Sequence, residues 1–122
     1  MAEGTVAQLS LTIPTNFTDG KYTSSAYTLS SEFIGLTILA DGITGGYPVV
    51  TIEVSNDGTT YVEAPAQVEN YVLPTKKVMN NLDSDGDGEG HLAVSGLDYK
   101  YVKVVVYSAG ATAGALTIDV NY

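Results

Sequence analysis

The strongest constraint on what this chain can become is a two-residue rhythm of aliphatic side chains that recurs along most of its length. Ala7, Leu9, Leu11 and Ile13 fall on one side of an extended backbone and Gln8, Ser10 and Thr12 on the other, until Pro14 closes the run. Ile34, Leu36 and Ile38 alternate with Phe33, Gly35, Thr37 and Leu39, apolar enough on both sides to be central in a sheet. Val50, Ile52 and Val54 alternate with Thr51, Glu53 and Ser55. Further on, Val102, Val104 and Val106 alternate with Tyr101, Lys103, Val105 and Tyr107, and Leu116, Ile118 and Val120 with Thr117, Asp119 and Asn121. Successive side chains of a strand point to opposite faces, so a period of two sends one row inward and the other outward.

Tyr22 to Leu29, Gln67 to Val72 and His91 to Val94 read as weaker strands. Asn56-Asp57-Gly58 predicts a hairpin with Tyr61 and Val62 on the returning strand. The Gly-containing stretch 108–114 makes the last two strands read as another hairpin. No segment keeps a helical period; Pro65 and Pro74 bracket one candidate, and Lys76 to Leu82 has room for a turn or two at most. Many short strands with frequent turn signals predict an all-β fold, an antiparallel jelly-roll-like β-sandwich of about eight strands. A small β-barrel is the alternative. No repeat or linker divides the chain, so residues 1–122 are expected to form a single β-sandwich domain.

Charge narrows the partners. Five basic residues, all Lys, stand against 14 acids for a net charge of −9. Phosphate backbones and anionic lipid both call for basic groups, so no nucleic acid and no membrane partner is expected. The chain has no Cys, which excludes disulfides, thiolate metal sites and thiol nucleophiles. Met1 to Val6 lacks a basic segment leading into an apolar run, and no stretch approaches the ~18 apolar residues of a membrane span, so no signal peptide is expected.

The sharpest local motif is Asp83-Ser84-Asp85-Gly86-Asp87-Gly88-Glu89-Gly90. Alternate carboxylates followed by Gly open a calcium-binding loop of the D-x-D-x-D-G kind, with Asp83, Asp85 and Asp87 as side-chain ligands and Glu89 through its carbonyl. The twelfth position, where such a loop needs a bidentate Glu, is Val94, and the flanks read as strands. The competing reading is a solvated acidic turn, so no cofactor is required and Ca2+ is the one candidate. His91 is the single histidine and has no nucleophile-elbow motif beside it; a surface position on a strand is expected. With no Trp, no phosphate-cradling Gly motif and no recognisable acid pair, the chain is not expected to be an enzyme. Nine Tyr offer apolar rings with polar tips. Tyr99 and the outward row Tyr101, Lys103, Val105 and Tyr107 are the candidate interface, and without Arg such an interface would rest on strand edges, Tyr and aliphatic area.

Residues 48–63, with Ser55-Asn56-Asp57-Gly58-Thr59 ending a strand, and residues 96–122, with Tyr101-Val102-Lys103-Val104 and a closing Gly-rich pair of strands, resemble small β-sandwich structural proteins of tailed-bacteriophage virions. The resemblance implies a capsid cement or decoration protein, or a tail, collar or fibre component. Its partner would be the major capsid protein or another virion protein, and it would act as a homo-oligomer or in many copies. Its place would be the capsid surface of the virion, after synthesis in the host cytoplasm. Discoidin-like carbohydrate or cell-surface binding modules share the Ser-x-Asp-Gly turn, but their usual Trp, Cys and Arg are missing. That second reading would use the loops around Asn56-Asp57-Gly58 and the Asp83 to Gly90 segment, with calcium as a candidate aid.

Overall fold

The aliphatic rows become the inner faces of two antiparallel sheets in the computed structural model, which describes residues 6–30, 32–63, 67–68, 71–72, 76–95 and 97–122 (backbone alone for 67–68 and 71–72). The strands are β1 (Val6–Ile13), β2 (Lys21–Thr23), β3 (Tyr27–Thr28), β4 (Ile34–Thr44), β5 (Val49–Ser55), β6 (Val62–Glu63), β7 (Gln67–Val68), β8 (Tyr71–Val72), β9 (Lys76–Val78), β10 (Gly88–Val94), β11 (Tyr101–Tyr107) and β12 (Ala113–Asn121). One sheet runs β1-β12-β4-β10. The other runs β2-β11-β5-β6, with β3 also on β11 and β9 also on β5, and β7 and β8 pair with each other. If β2 with β3, and β6 with β9, each fill one place, the first sheet holds places 1-8-3-6 and the second 2-7-4-5. That alternation is the jelly-roll winding of eight strands, and neither sheet closes into a barrel.

Between the sheets, Leu36, Ile38, Leu116, Ile118 and Val120 of one meet Val50, Ile52, Val54, Val102, Val104 and Val106 of the other, all buried in one cluster. Burial of this kind is worth about 25 cal/mol per Å² of apolar surface. Ala7, Leu9, Tyr99 and Tyr122 lie partly buried at its margin.

Four expectations change on this frame. The last two strands are no hairpin, because β11 and β12 lie in different sheets and residues 108–112 carry the chain across the sandwich. Ala109 and Gly110 take positive φ there, and Ala111 tucks into the core. Lys76–Val78 is a strand rather than a helical turn, held by the register Val49↔Val78 and Thr51↔Lys76. Thr51 and Ser55 sit on the outer face as their alternation requires, yet both are buried. The Tyr22 to Leu29 strand exists in two pieces. Ser24 interrupts it, and its Oγ accepts the Val104 N–H at 2.9 Å while its own N–H donates to the Val104 carbonyl at 2.9 Å. The hydroxyl thus replaces a missing ladder carbonyl.

Candidate functional site

The short links between sheets sort the loops into two ends. Residues 45–48 join Thr44 to Val49, so the ends of β4 and β5 share one end of the sandwich with residues 79–87 and 108–112. Residues 56–61, between β5 and β6, and residues 95 and 97–100, between β10 and β11, lie at the other end. The seven residues of β5 span roughly 23 Å at 3.3 Å per residue. The Asn56-Asp57-Gly58 loop and the acidic loop therefore cannot line one small-ligand site.

At the first end, Asp83 Oδ1 accepts the N–H groups of Asp85 at 2.9 Å and Asp87 at 3.0 Å, and Asp87 Oδ1 accepts the Gly42 N–H at 2.9 Å. Backbone bonds finish the turn: Gly86 N–H to the Asp83 carbonyl at 3.0 Å, Asp83 N–H to the Asp87 carbonyl at 2.9 Å, and Ile43 N–H to the Gly86 carbonyl at 3.0 Å. Carboxylate oxygens of Asp83, Asp85 and Asp87 come within 4.8 Å of one another. Three carboxylates at that spacing have the chemistry to take a hard cation through oxygens not already engaged. Glu89 stands apart from them: it is on β10 opposite Leu39, and its carbonyl accepts the Asn81 side-chain N–H at 2.8 Å. Ile43, Gly45, Gly46, Tyr47, Leu82, Asp83, Ser84 and Gly86 line a shallow hollow beside this turn.

The outer face of the second sheet carries the predicted Tyr and Lys row. Lys103 Nζ sits 4.2 Å from the Tyr61 ring centroid, Lys21 Nζ lies 5.7 Å from the Tyr107 ring, and Lys21 pairs with Glu53 at 3.6 Å. Lys76 pairs with Glu63 at 3.4 Å. Val105 is on this face but fully buried, so it offers a partner no area, and Tyr99 packs against the core. Tyr101 and Lys103 are half-buried. The open apolar area is displaced toward the acidic end, where Tyr107 is 36% exposed and Val78 41%, both in register with Val49 between them. Tyr47, 56% exposed, stands on the adjoining loop. Sequence reasoning found Tyr107 but missed Val49, Val78 and Tyr47; the row forms only when β9 pairs with β5, and nothing in the sequence near residue 76 announces that pairing. His91 is exposed on the outer face of β10, the bland position expected of it.

At the opposite end, Asp57 builds the turn foreseen from its sequence. Its Oδ1 accepts the Thr59 N–H at 2.9 Å, the Thr60 N–H at 2.9 Å and the Ser55 hydroxyl at 2.9 Å, while Gly58 takes φ +77°. Bonds from the Thr60 and Thr59 N–H groups, then from Ser55, hold its carboxyl below the usual carboxylate range. The stabilisation is present above the ordinary carboxylate value and fades as pH falls through the lower folded value. Asp57→Asn is therefore expected to be less stable than wild type at neutral pH, with the gap closing below about pH 4. Urea titrations of both proteins across pH 2–7 check this, and a gap independent of pH would disprove the carboxylate's role.

No protein-family model and no curated protein sequence matches the chain. Among solved structures, it is similar to the SPBc2 prophage-derived protein YomS, with 8% identity, TM-score 0.47, and coverage of 99% of this chain and 97% of that one. It is also similar to a chain from Bacillus endospore appendages, described as disulfide-linked pili, with 16% identity, TM-score 0.34, and coverage of 99% and 90%. A chain of the infectious bursal disease virus Gx strain matches with 14% identity and TM-score 0.30, over 99% of this chain and 40% of that one.

Proposed function

We propose that this chain is a virion structural protein, a capsid cement or decoration protein that bridges capsid subunits through non-covalent contacts. The observation that carries the reading is the row in which exposed Tyr107 and Val78 flank half-buried Val49, with exposed Tyr47 beside it, at the end that also holds the acidic turn. Such an arrangement offers aromatic and aliphatic area with Lys21 beside Tyr107, Lys76 and Lys77 beside Val78 and the acidic turn at the same end, a mixed charged rim around an apolar contact. The sequence resemblance described above supports the same role, with a tail, collar or fibre component as its nearest variant.

The work is mechanical. A folded sandwich seated across a junction adds its own contacts to those that must break before subunits separate. A stable seat buries about 1,200–2,000 Å², and many copies add avidity. No bond is made or broken in this reading. The protein is expected to co-purify with particles in fixed stoichiometry, and particles lacking it to lose their contents at lower temperature. Tyr107→Glu combined with Val78→Asp is expected to abolish attachment while leaving the thermal midpoint of the free protein nearly unchanged. Particles indifferent to deletion, or attachment unaffected by the double substitution, would refute the proposal. A calcium titration of attachment decides separately whether the Asp83, Asp85 and Asp87 turn takes part.

A further inference from the structure

We infer that the free edge of β1 is a self-pairing site that joins two copies of this chain into a dimer with a continuous sheet. β1 pairs with β12 along its whole length, Val6↔Asn121 to Ile13↔Gly114, without a bulge, and no other described strand lies beside it. The other edges of the two large sheets carry the usual protections against pairing. Lys21 and the Ser24 interruption mark β2 and β3; Glu63, Lys76 and Lys77 mark β6 and β9; Glu89 and His91 mark β10. β1, Val6-Ala7-Gln8-Leu9-Ser10-Leu11-Thr12-Ile13, has no charge and no proline.

The hydrogen bonding of Thr12 shows which backbone groups face outward. Its N–H donates to Asn16 Oδ1 at 2.7 Å and its carbonyl accepts the Asn16 N–H at 3.0 Å, so both point away from β12. Because these groups alternate sides along a strand, the N–H and C=O of Val6, Gln8 and Ser10 also point to the free edge. The turn at Asn16 blocks the edge at Thr12 and leaves those three residues open. An antiparallel pairing centred on Gln8 uses them all: Val6 opposite the second copy's Ser10, Gln8 opposite Gln8, Ser10 opposite Val6. The same register keeps faces matched. It sets Ala7 against Leu9 on the core side, the two residues of β1 left only partly buried at the core margin.

Charge argues for a second copy rather than a different partner. A basic strand would find no acid on β1, whereas a neutral, self-complementary edge is the part of an acidic chain where two copies meet with least repulsion. Among the described residues, the acid on the neighbouring strand, Asp119, is held by Gln8 Nε2 at 2.8 Å. Across the joint the two Asp119 residues would be three strand spacings apart, roughly 14 Å, beyond the screening length at physiological salt.

Sedimentation equilibrium of the purified protein tests this. Wild type is expected at twice 12.8 kDa in a concentration-dependent equilibrium. Ser10→Pro places a ring on the open edge without removing a bond to β12, and Val6→Pro does the same at the other end of the pairing. Each is expected to weaken dimerisation by at least about tenfold with unchanged circular dichroism and thermal midpoint at low concentration. A wild type that stays monomeric, or a dimer that persists in both variants, overturns the inference. A monomer in solution whose variants lose particle attachment would hand the edge to another virion protein. The inference does not rest on the cement role, since a dimer that ignores particles would refute that role and leave the β1 joint standing.

Discussion

Ile38→Ala is expected to cost about 2–5 kcal/mol of stability and to lower the thermal midpoint by about 10–20 °C. Ile38 is fully buried on β4, directly opposite Ile118 of β12, which is itself fully buried. Alanine removes three carbons at the centre of the first sheet, and strands paired on both sides limit how far the backbone can close the gap. The cost therefore combines the lost transfer energy with a cavity. Leu39→Ala is the control, because that neighbouring side chain points outward and is exposed. Chemical denaturation of the two variants checks the contrast, and equal losses would mean that the assigned inner face of β4 is wrong.

Gly86→Ala is expected to cost a similar amount, about 2–5 kcal/mol, through a different mechanism. Gly86 takes φ +78°, and a Cβ there would lie 2.3 Å from the Ile43 carbonyl oxygen and 2.5 Å from the Ile43 nitrogen. A left-handed conformation penalises alanine by roughly 1–2 kcal/mol, and forced contact with backbone adds about 1–3. Gly42 separates the two contributions, since it takes φ +69° with nothing within 4 Å of an added Cβ. Gly42→Ala should show the conformational penalty alone. Losing the close approach also moves Gly86 away from the Ile43 N–H and Asp87 away from the Gly42 N–H, so the three-carboxylate turn should loosen in the Gly86 variant. Any rise in melting temperature that calcium gives the wild type would then vanish in it. Gly86→Ala melting no lower than Gly42→Ala would rule out the contact with Ile43.

The faces of β1, β4, β5, β11 and β12 were legible in the sequence because period two follows directly from strand geometry. Pairing was less legible. Residues 101–107 and 113–121 look like neighbours, yet this winding sends them to opposite sheets while β5 and β6 stay in one, a choice made by the whole core and not by the 108–112 link. The outward side of Val105 was read correctly, but its burial was not. Val105 has Thr23 and Thr51 directly opposite on its two sides and Lys103 and Tyr107 two residues away on the same face, and burial by such neighbours depends on strand pairing that the sequence does not announce. The acidic turn could be placed from Asp83, Asp85 and Asp87 alone. That Glu89 leaves it depends on β10 beginning at Gly88, three residues before the His91 start that the sequence suggests, since Gly carries little strand propensity.

The place of β12 between β1 and β4 also governs how the chain can be made. Neither side of that strand is optional, so the first sheet has no interior until residues 113–121 have been synthesised. On the ribosome, β1 must wait unpaired, an uncharged segment with an appetite for any passing backbone. Assembly of the first sheet is therefore governed by contacts between residues more than a hundred positions apart, a regime of milliseconds to seconds in which unpaired strand edges are exposed to aggregation.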